Sequence, residues 1–118
     1  MVKFSPNRLD FVFQALSDQT RRGFLREIHN GPKSLSTLAQ GAGISLPLAT
    51  KHVAVLERAG LVHSSKDGRV RTCRFDPGPL QEAGDWIRKY ETYWEAGLDR
   101  LAAMLEAEME GNEDGSNG

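Results

Sequence analysis

The side chains best suited to a chemical task in this sequence are cationic, and they fall in two short groups. Lys51 and His52 are neighbours in a segment with helical hydrophobic spacing. Lys66, Arg69 and Arg71 lie close together in a segment with strand-like composition. Grouped ammonium and guanidinium ions neutralise phosphates and so hold a polyanion. These residue types therefore favour nucleic-acid binding over catalysis.

Catalytic and metal-binding patterns are missing from the sequence. It has no Gly-rich phosphate loop, no Gly-x-Ser-x-Gly elbow and no group of residues with metal-ligand spacing. His29 and His63 are interpreted as surface or capping residues, whereas His52 suits a DNA contact and a packing role equally. Cys73 fits either a redox switch or, more commonly for a strand residue, a small buried hydrophobe. We expect no enzyme activity, no cofactor and no metal.

Charge is divided unequally along the chain. Residues 1–79 carry 12 Lys and Arg against 6 Asp and Glu, and residues 80–118 carry 3 against 10, although the net charge is only −1. The first two thirds therefore suit an anionic partner. A length of 118 residues fits one domain. Without a long apolar run or a signal peptide, we expect no membrane span and a location in the cytoplasm.

Four short helices are predicted before residue 61. The first begins at Ser5-Pro6, and its buried face follows the three-to-four spacing of Leu9, Val12, Phe13 and Leu16. Phe11 lies off that face and is a candidate partner contact.

Capping residues place the next three helices. Asp18 caps the second, Ser36 opens the third, and Ser45 caps the fourth, which ends at Gly60. Gly43 falls in the short turn between the third and fourth helices.

A hairpin and a long helix are predicted to follow. Two strand-like runs, 61–65 and 69–75, flank an Asp-Gly pair, which is a strong hairpin signal because both residues accept positive φ. An apolar stripe then predicts a last helix of about 30 residues. That is more helix than a small domain needs for its own core, so part of it should pack on another chain. Residues 1–109 form the predicted domain, and the tail 110–118, which has no apolar residue, is predicted to be disordered.

The third and fourth helices with their turn make a helix-turn-helix, and the basic hairpin behind them makes the winged form. The predicted fold is therefore mainly α with a β-hairpin wing. In this fold the second helix of the motif enters the major groove, and the wing lies along the phosphates. The predicted DNA-binding residues are Ser45, Leu46, Pro47, Leu48, Thr50, Lys51 and His52 on the recognition helix and Lys66, Arg69 and Arg71 on the wing. Arg21 and Arg22 are secondary candidates.

Several motifs resemble the ArsR/SmtB winged-helix repressors of bacteria. They are Ala-Leu-Ser-Asp-Gln-Thr-Arg-Arg at 15–22, Leu-Ala at 38–39, Gly-Ile-Ser at 43–45, Lys-His-Val at 51–53, Leu-Glu-Arg-Ala-Gly-Leu-Val at 56–62 and Gly-Arg at 68–69. The resemblance implies a homodimer that pairs through its first and last helices, binds a double-stranded operator and represses transcription until a signal releases it. The predicted interface residues are Phe11, Leu80, Ile87, Tyr90, Trp94, Leu98 and Leu101.

The chain departs from the metal-sensing members of that family. The third-helix segment 35–40 has no cysteine pair, and no histidine follows His63. The resemblance is therefore to members without the known metal ligands. The sequence does not identify a small-molecule inducer.

Two other functions remain open at the level of sequence. Winged helices also serve as protein-interaction modules that do not bind DNA, because a fold alone does not determine function. A DNA coat without sequence preference would bind all duplexes equally. The basic wing and Lys51 argue against the first alternative.

Overall fold

The computed structural model describes the backbone of residues 8–117 and the side chains of residues 8–111. The described residues form two compact units, which divide between Ala83 and Gly84. The elements in chain order are α1 (Arg8–Leu16), α2 (Gln19–Ile28), β1 (Lys33–Ser34), α3 (Leu35–Ala42), α4 (Leu46–Arg58), β2 (Val62–Asp67), β3 (Val70–Phe75) and α5 (Gly78–Asn117). This is the predicted winged helix-turn-helix, with α3 and α4 as the motif and β2 and β3 as the wing.

Helices α1 and α2 follow the predicted pattern in part. The predicted start at Ser5-Pro6 lies outside the described residues. Asp18 caps α2 as expected, because its carboxylate accepts a hydrogen bond from the Arg21 backbone N–H at 3.0 Å.

The buried face of α1 differs from the predicted one. Val12 and Ala15 are fully buried, but Phe13 is exposed, so its predicted inward position is wrong. Phe11 instead packs against the core, with the Arg58 guanidinium 5.9 Å from the centre of its ring. Phe11 and Phe13 are two positions apart and therefore about 200° apart around the helix. A face that turns Phe11 toward the core thus leaves Phe13 on the opposite side.

Helix α3 begins one residue after Ser34, so the predicted start at Ser36 is wrong. The Ser34 hydroxyl accepts a hydrogen bond from the Thr37 backbone N–H at 3.1 Å. Ser34 also belongs to β1, where it pairs with Thr72 of β3. This pairing holds Ser34 in the extended conformation that a helix cap requires. No local pattern around Ser34 indicates the pairing.

The turn of the helix-turn-helix depends on Gly43. Its φ of 66° and ψ of 34° are left-handed, and its N–H bonds back to the carbonyls of Ala39 and Gln40. A glycine adopts this conformation without steric cost. Ser45 then caps α4 by accepting from the Leu48 N–H at 3.3 Å, as predicted.

The sheet has three antiparallel strands in the order β1-β3-β2. Strands β2 and β3 form the predicted hairpin, with Val62 opposite Phe75 and Asp67 opposite Val70. Gly68, with φ of 62°, makes its turn. The two-residue strand β1 was not predicted.

One apolar core holds the first unit together. Its fully buried members come from α1, α2, α4, the residue before β2, β2 and β3, and include Val12, Phe24, Ile28, Val53, Leu56, Leu61, Val62 and Cys73. The predicted inward residues of α4, Ala49, Val53 and Leu56, are all buried, and Val55 is partly buried. This core fixes which face of α4 remains outside.

Helix α5 extends further along the chain than predicted. Its backbone is helical over 40 residues to Asn117, which includes the segment for which disorder is predicted. The side chains of residues 112–118 lie outside the described set, so the disordered tail stays a prediction. Within the described residues, no helix combines the length and apolar character needed to cross a membrane.

Candidate nucleic-acid interface

The start of α4 presents a continuous exposed face. Ser45, Leu46, Pro47 and Leu48 are all exposed, as are Thr50 and Lys51 one turn later. The buried partners on the opposite side are Ala49, Val53 and Leu56. Every predicted DNA-binding residue of this helix except His52 is therefore exposed and accessible to a large ligand.

Two side chains in this face have distinct local roles. The Ser45 hydroxyl caps the helix, and the Thr50 hydroxyl donates to the Leu46 carbonyl at 2.9 Å. With its proton committed in this way, Thr50 offers a methyl group and acceptor lone pairs. Lys51 makes no ion pair within the described residues and keeps its full charge available.

Of the three wing cations that are predicted to bind DNA, two are free and one is engaged. Lys66 and Arg69 are exposed, and their side chains form no ion pair or hydrogen bond with any residue that the structure describes. Arg71 is different, because its Nε donates to Ser64 Oγ at 3.1 Å and its Nη2 lies 3.7 Å from Glu57 Oε1. Glu57 belongs to α4, so Arg71 links the wing to the recognition helix.

His52 lies beneath the exposed face in a cluster with α2. Arg21 Nη1 lies 3.2 Å from His52 Nδ1, and the rings of Phe24 and His52 pack nearly perpendicular to each other with 6.1 Å between their centres. Asp18 Oδ2 is 3.8 Å from the same Nδ1. The hydrogen bond from the Arg21 backbone N–H is the largest effect and lowers the pKa of Asp18. Burial opposes it, and the positive charge of Arg21 adds a smaller lowering effect.

The partners that hold these cations were not predicted from the sequence. Glu57, Ser64 and Asp18 received no role in the interface, although the helix cap at Asp18 was predicted. The acid at Glu57 is separated from Arg71 by 14 residues, and only the packing of β3 near α4 brings them together. A helical acid facing a basic hairpin was the only available signal.

Comparison with known proteins points to one family. A helix-turn-helix domain model matches residues 16–65. The HTH-type transcriptional regulator Rv2034 of Mycobacterium tuberculosis is 30% identical over 104 residues, which cover 88% of this chain and 92% of the relative. The crystal structure of an ArsR family transcriptional regulator has a TM-score of 0.72 and 37% identity, covering 80% of this chain and 97% of that one. The chain belongs to the ArsR family.

Further relatives agree with this assignment. An ArsR-like transcriptional regulator from Rhodococcus sp. RHA1 has a TM-score of 0.69 and 31% identity, and covers 85% of this chain and 92% of its own. The transcriptional repressor SdpR of Bacillus subtilis is 27% identical over 79 residues, 67% of this chain and 88% of SdpR. The chain is a DNA-binding transcriptional regulator.

The remaining histidines of this ArsR-family regulator have structural partners. His63 Nε2 lies 2.9 Å from Asp76 Oδ2, and the other oxygen of Asp76 accepts from the Gly78 N–H at the start of α5. The bond from His63, followed by that from Gly78, lowers the pKa of Asp76. The His29 ring packs against Phe75.

The thiol of Cys73 is fully buried in the core of the ArsR-family regulator. Burial raises the pKa of this thiol, and the opposing effect of Arg71 is smaller. A buried, protonated thiol is unreactive, which favours the packing role over the redox switch. Among the residues that the structure describes, no three His, Cys, Asp or Glu side chains are grouped to hold a metal ion.

The residues predicted for the dimer interface differ in exposure. Phe11 and Leu80 pack partly against the core of the first unit. The members in the second unit are exposed by 48 to 70%, namely Ile87, Tyr90, Trp94, Leu98 and Leu101. The same helix also exposes Trp86, Tyr93, Met104, Leu105 and Met109. An exposed apolar run of this extent is typical of interaction surfaces in proteins.

Proposed function

We propose that this regulator binds a specific double-stranded operator as a homodimer and represses transcription from it. The observation that carries the proposal is the exposed start of α4 beside a wing whose Lys66 and Arg69 are uncommitted. The helix presents small and apolar groups to base edges, and the free cations contact phosphates. A relative that is a transcriptional repressor supports repression over activation.

The proposed contacts are divided between reading and positioning. Leu46, Pro47 and Leu48 offer no side-chain donor, so they contact thymine methyl groups or exclude mismatched bases by shape. Lys51, Lys66 and Arg69 bind phosphates, and Ser45 and Thr50 complete the surface. Because the phosphate contacts release counterions, the affinity should fall steeply with added salt.

The second unit supplies the proposed dimer contact. Ile87, Tyr90, Trp94, Leu98 and Leu101 follow helical spacing and are exposed. Covering them with the same helix of a second copy removes apolar surface from water and gives a two-fold assembly. Two-fold symmetry places two recognition helices on half-sites of a pseudo-palindrome about 34 to 36 Å apart. Residues 1–109 would thus serve as the DNA-binding and dimerisation domain.

Selection of bound sequences from a random duplex library tests the proposal. We expect an inverted repeat, a specific affinity at least about 10³ times that for unrelated duplexes, and two chains per duplex by sedimentation. Placing the selected site at a reporter promoter should lower transcription. Equal affinity for all duplexes would indicate a DNA coat, and no binding at low salt would indicate a protein-interaction module.

A further inference from the structure

The Arg21 side chain connects α2, to which it belongs, with α1 and α4 through its three guanidinium nitrogens. Its Nε donates to the Ala15 carbonyl at 2.9 Å, and its Nη2 donates to the Gln14 carbonyl at 3.0 Å. Both carbonyls belong to the last turn of α1, where helical carbonyls lack partners within the helix. Its Nη1 lies 3.2 Å from His52 Nδ1 in α4. The guanidinium is therefore anchored on α1 and directed toward the recognition helix.

This contact determines which nitrogen of His52 carries the proton. A guanidinium only donates hydrogen bonds, so Nδ1 of His52 must accept and hold no proton. A neutral imidazole then carries its proton on Nε2. Asp18 Oδ2, the nearby group that would favour a proton on Nδ1, lies at 3.8 Å and already accepts from the Arg21 backbone N–H.

The Nε2 atom of His52 is not completely buried. Nε2 has no hydrogen-bond partner among the described residues. Within the same residues, no side-chain nitrogen or oxygen is both buried and without a hydrogen-bond partner, so Nε2 keeps contact with solvent. The side chain as a whole is only 15% exposed, since Arg21 and Phe24 enclose it. The ring thus presents one N–H at the surface of α4, next to Lys51, and its rotation is restricted before any ligand binds.

We propose that Arg21 is a positioning residue for DNA binding, which orients His52 so that its Nε2–H donates to a phosphate of the operator. A phosphate is favoured over a base edge because the enclosed ring does not project from the helix, whereas the DNA backbone approaches the protein surface. The proposal deepens the function proposed above and rests on it. Arg21 acts through His52 and does not itself contact DNA.

A double-mutant cycle tests the coupling between the two residues. Arg21→Met and His52→Ala should each weaken binding to the selected operator about tenfold, and the double variant should be no weaker than either single one. Arg22→Met is the matched control, because Arg22 also donates to the end of α1, at the Leu16 carbonyl, and has no contact with His52. The loss of affinity in the double variant of Arg22→Met and His52→Ala should equal the product of the two single fold-changes. Effects of Arg21→Met and His52→Ala that simply multiply would overturn the proposal.

Two further measurements separate positioning from a purely structural role. In ¹⁵N spectra of the free protein at about pH 8, where ordinary imidazoles are neutral, His52 should be protonated on Nε2, and Arg21→Met should produce a mixture of tautomers. Protonation on Nδ1 in the unaltered chain would contradict the proposal. Thermal unfolding of each variant verifies that it is folded under the binding conditions.

Neutral phosphate analogues identify the contact. One methylphosphonate per half-site should weaken binding by the unaltered chain but not by His52→Ala. If substitution of a base, and not the methylphosphonate, weakens binding by the unaltered chain but not by His52→Ala, then His52 contacts a base and the phosphate assignment is wrong. If the unaltered chain binds no duplex, the proposed function fails as well, whereas binding with independent Arg21 and His52 effects refutes only the present inference.

Discussion

The guanidinium of Arg71 on the wing faces the carboxylate of Glu57 on the recognition helix, with 3.7 Å between Nη2 and Oε1. The same guanidinium donates to Ser64 on the neighbouring strand. Arg71 therefore has protein partners that hold β2, β3 and α4 together. The sequence alone predicts a phosphate contact for this residue, and the structure gives it a second role.

Replacing Arg71 should affect DNA binding differently from replacing a free wing cation. We expect Arg71→Ala to weaken operator affinity by loosening the wing while changing the slope of log affinity against log salt by less than one unit. Lys66→Ala and Arg69→Ala, the matched controls, should each reduce that slope by about one unit. Anisotropy titrations at several salt concentrations measure both quantities. If Arg71→Ala reduces the salt slope by one full unit, the Arg71 side chain of the unaltered protein must leave Glu57 and bind a phosphate in the complex.

Two glycines of the helix-turn-helix should respond to alanine with opposite signs. Gly43 has a left-handed conformation, so Gly43→Ala should cost about 1 kcal/mol of unfolding free energy. Gly41 is an exposed position within α3 with open space around it, so Gly41→Ala should stabilise by about 0.5 to 1 kcal/mol. Urea unfolding at one fixed protein concentration measures both. Changes of the same sign would show that the turn does not constrain Gly43.

The cap at Asp18 should make stability depend on acid pH. Its folded pKa lies below the usual 3.8 because the Arg21 N–H bonds to the charged carboxylate. The unfolded chain therefore takes up this proton first, and the contribution is complete above about pH 4 and lost as the pH falls through the folded pKa. Asp18→Ala should cost about 1 kcal/mol at neutral pH.

Asp18→Asn separates the charge from the cap. Its amide oxygen can still accept from the Arg21 N–H, but it does not titrate. Unfolding experiments between about pH 6 and pH 2 should show a steeper loss of stability for the unaltered chain than for Asp18→Asn. Identical pH profiles would assign the acid sensitivity to other carboxylates.

Trp94 should contribute to association and little to the fold of a single chain. The side chain is 70% exposed, so a large loss of packing energy on its truncation can arise only at an interface. Trp94→Ala should raise the dimer dissociation constant about 30-fold, as measured by sedimentation equilibrium. Glu95→Ala, an exposed neighbour on the same helix, is the control. An unchanged constant would place Trp94 outside the dimer contact.

Local signals in the sequence determined most of the elements. Asp18 and Ser45 cap their helices, Gly43 turns the motif and Gly68 turns the hairpin, because each depends on backbone geometry within a few residues. Hydrophobic spacing likewise identified the inward face of α4. The recognition helix and wing therefore followed from the sequence, together with the excess of positive charge in that part of the chain.

Contacts between distant residues were decided only by the tertiary structure. Strand β1 exists because β3 pairs with Ser34, and that pairing moves the start of α3 from Ser36 to Leu35. The partners of Arg71 and His52 lie on other elements, Arg21 being 31 residues from His52. Periodicity and capping describe a residue's own helix or strand, whereas the orientation of one element against another depends on how the whole core packs.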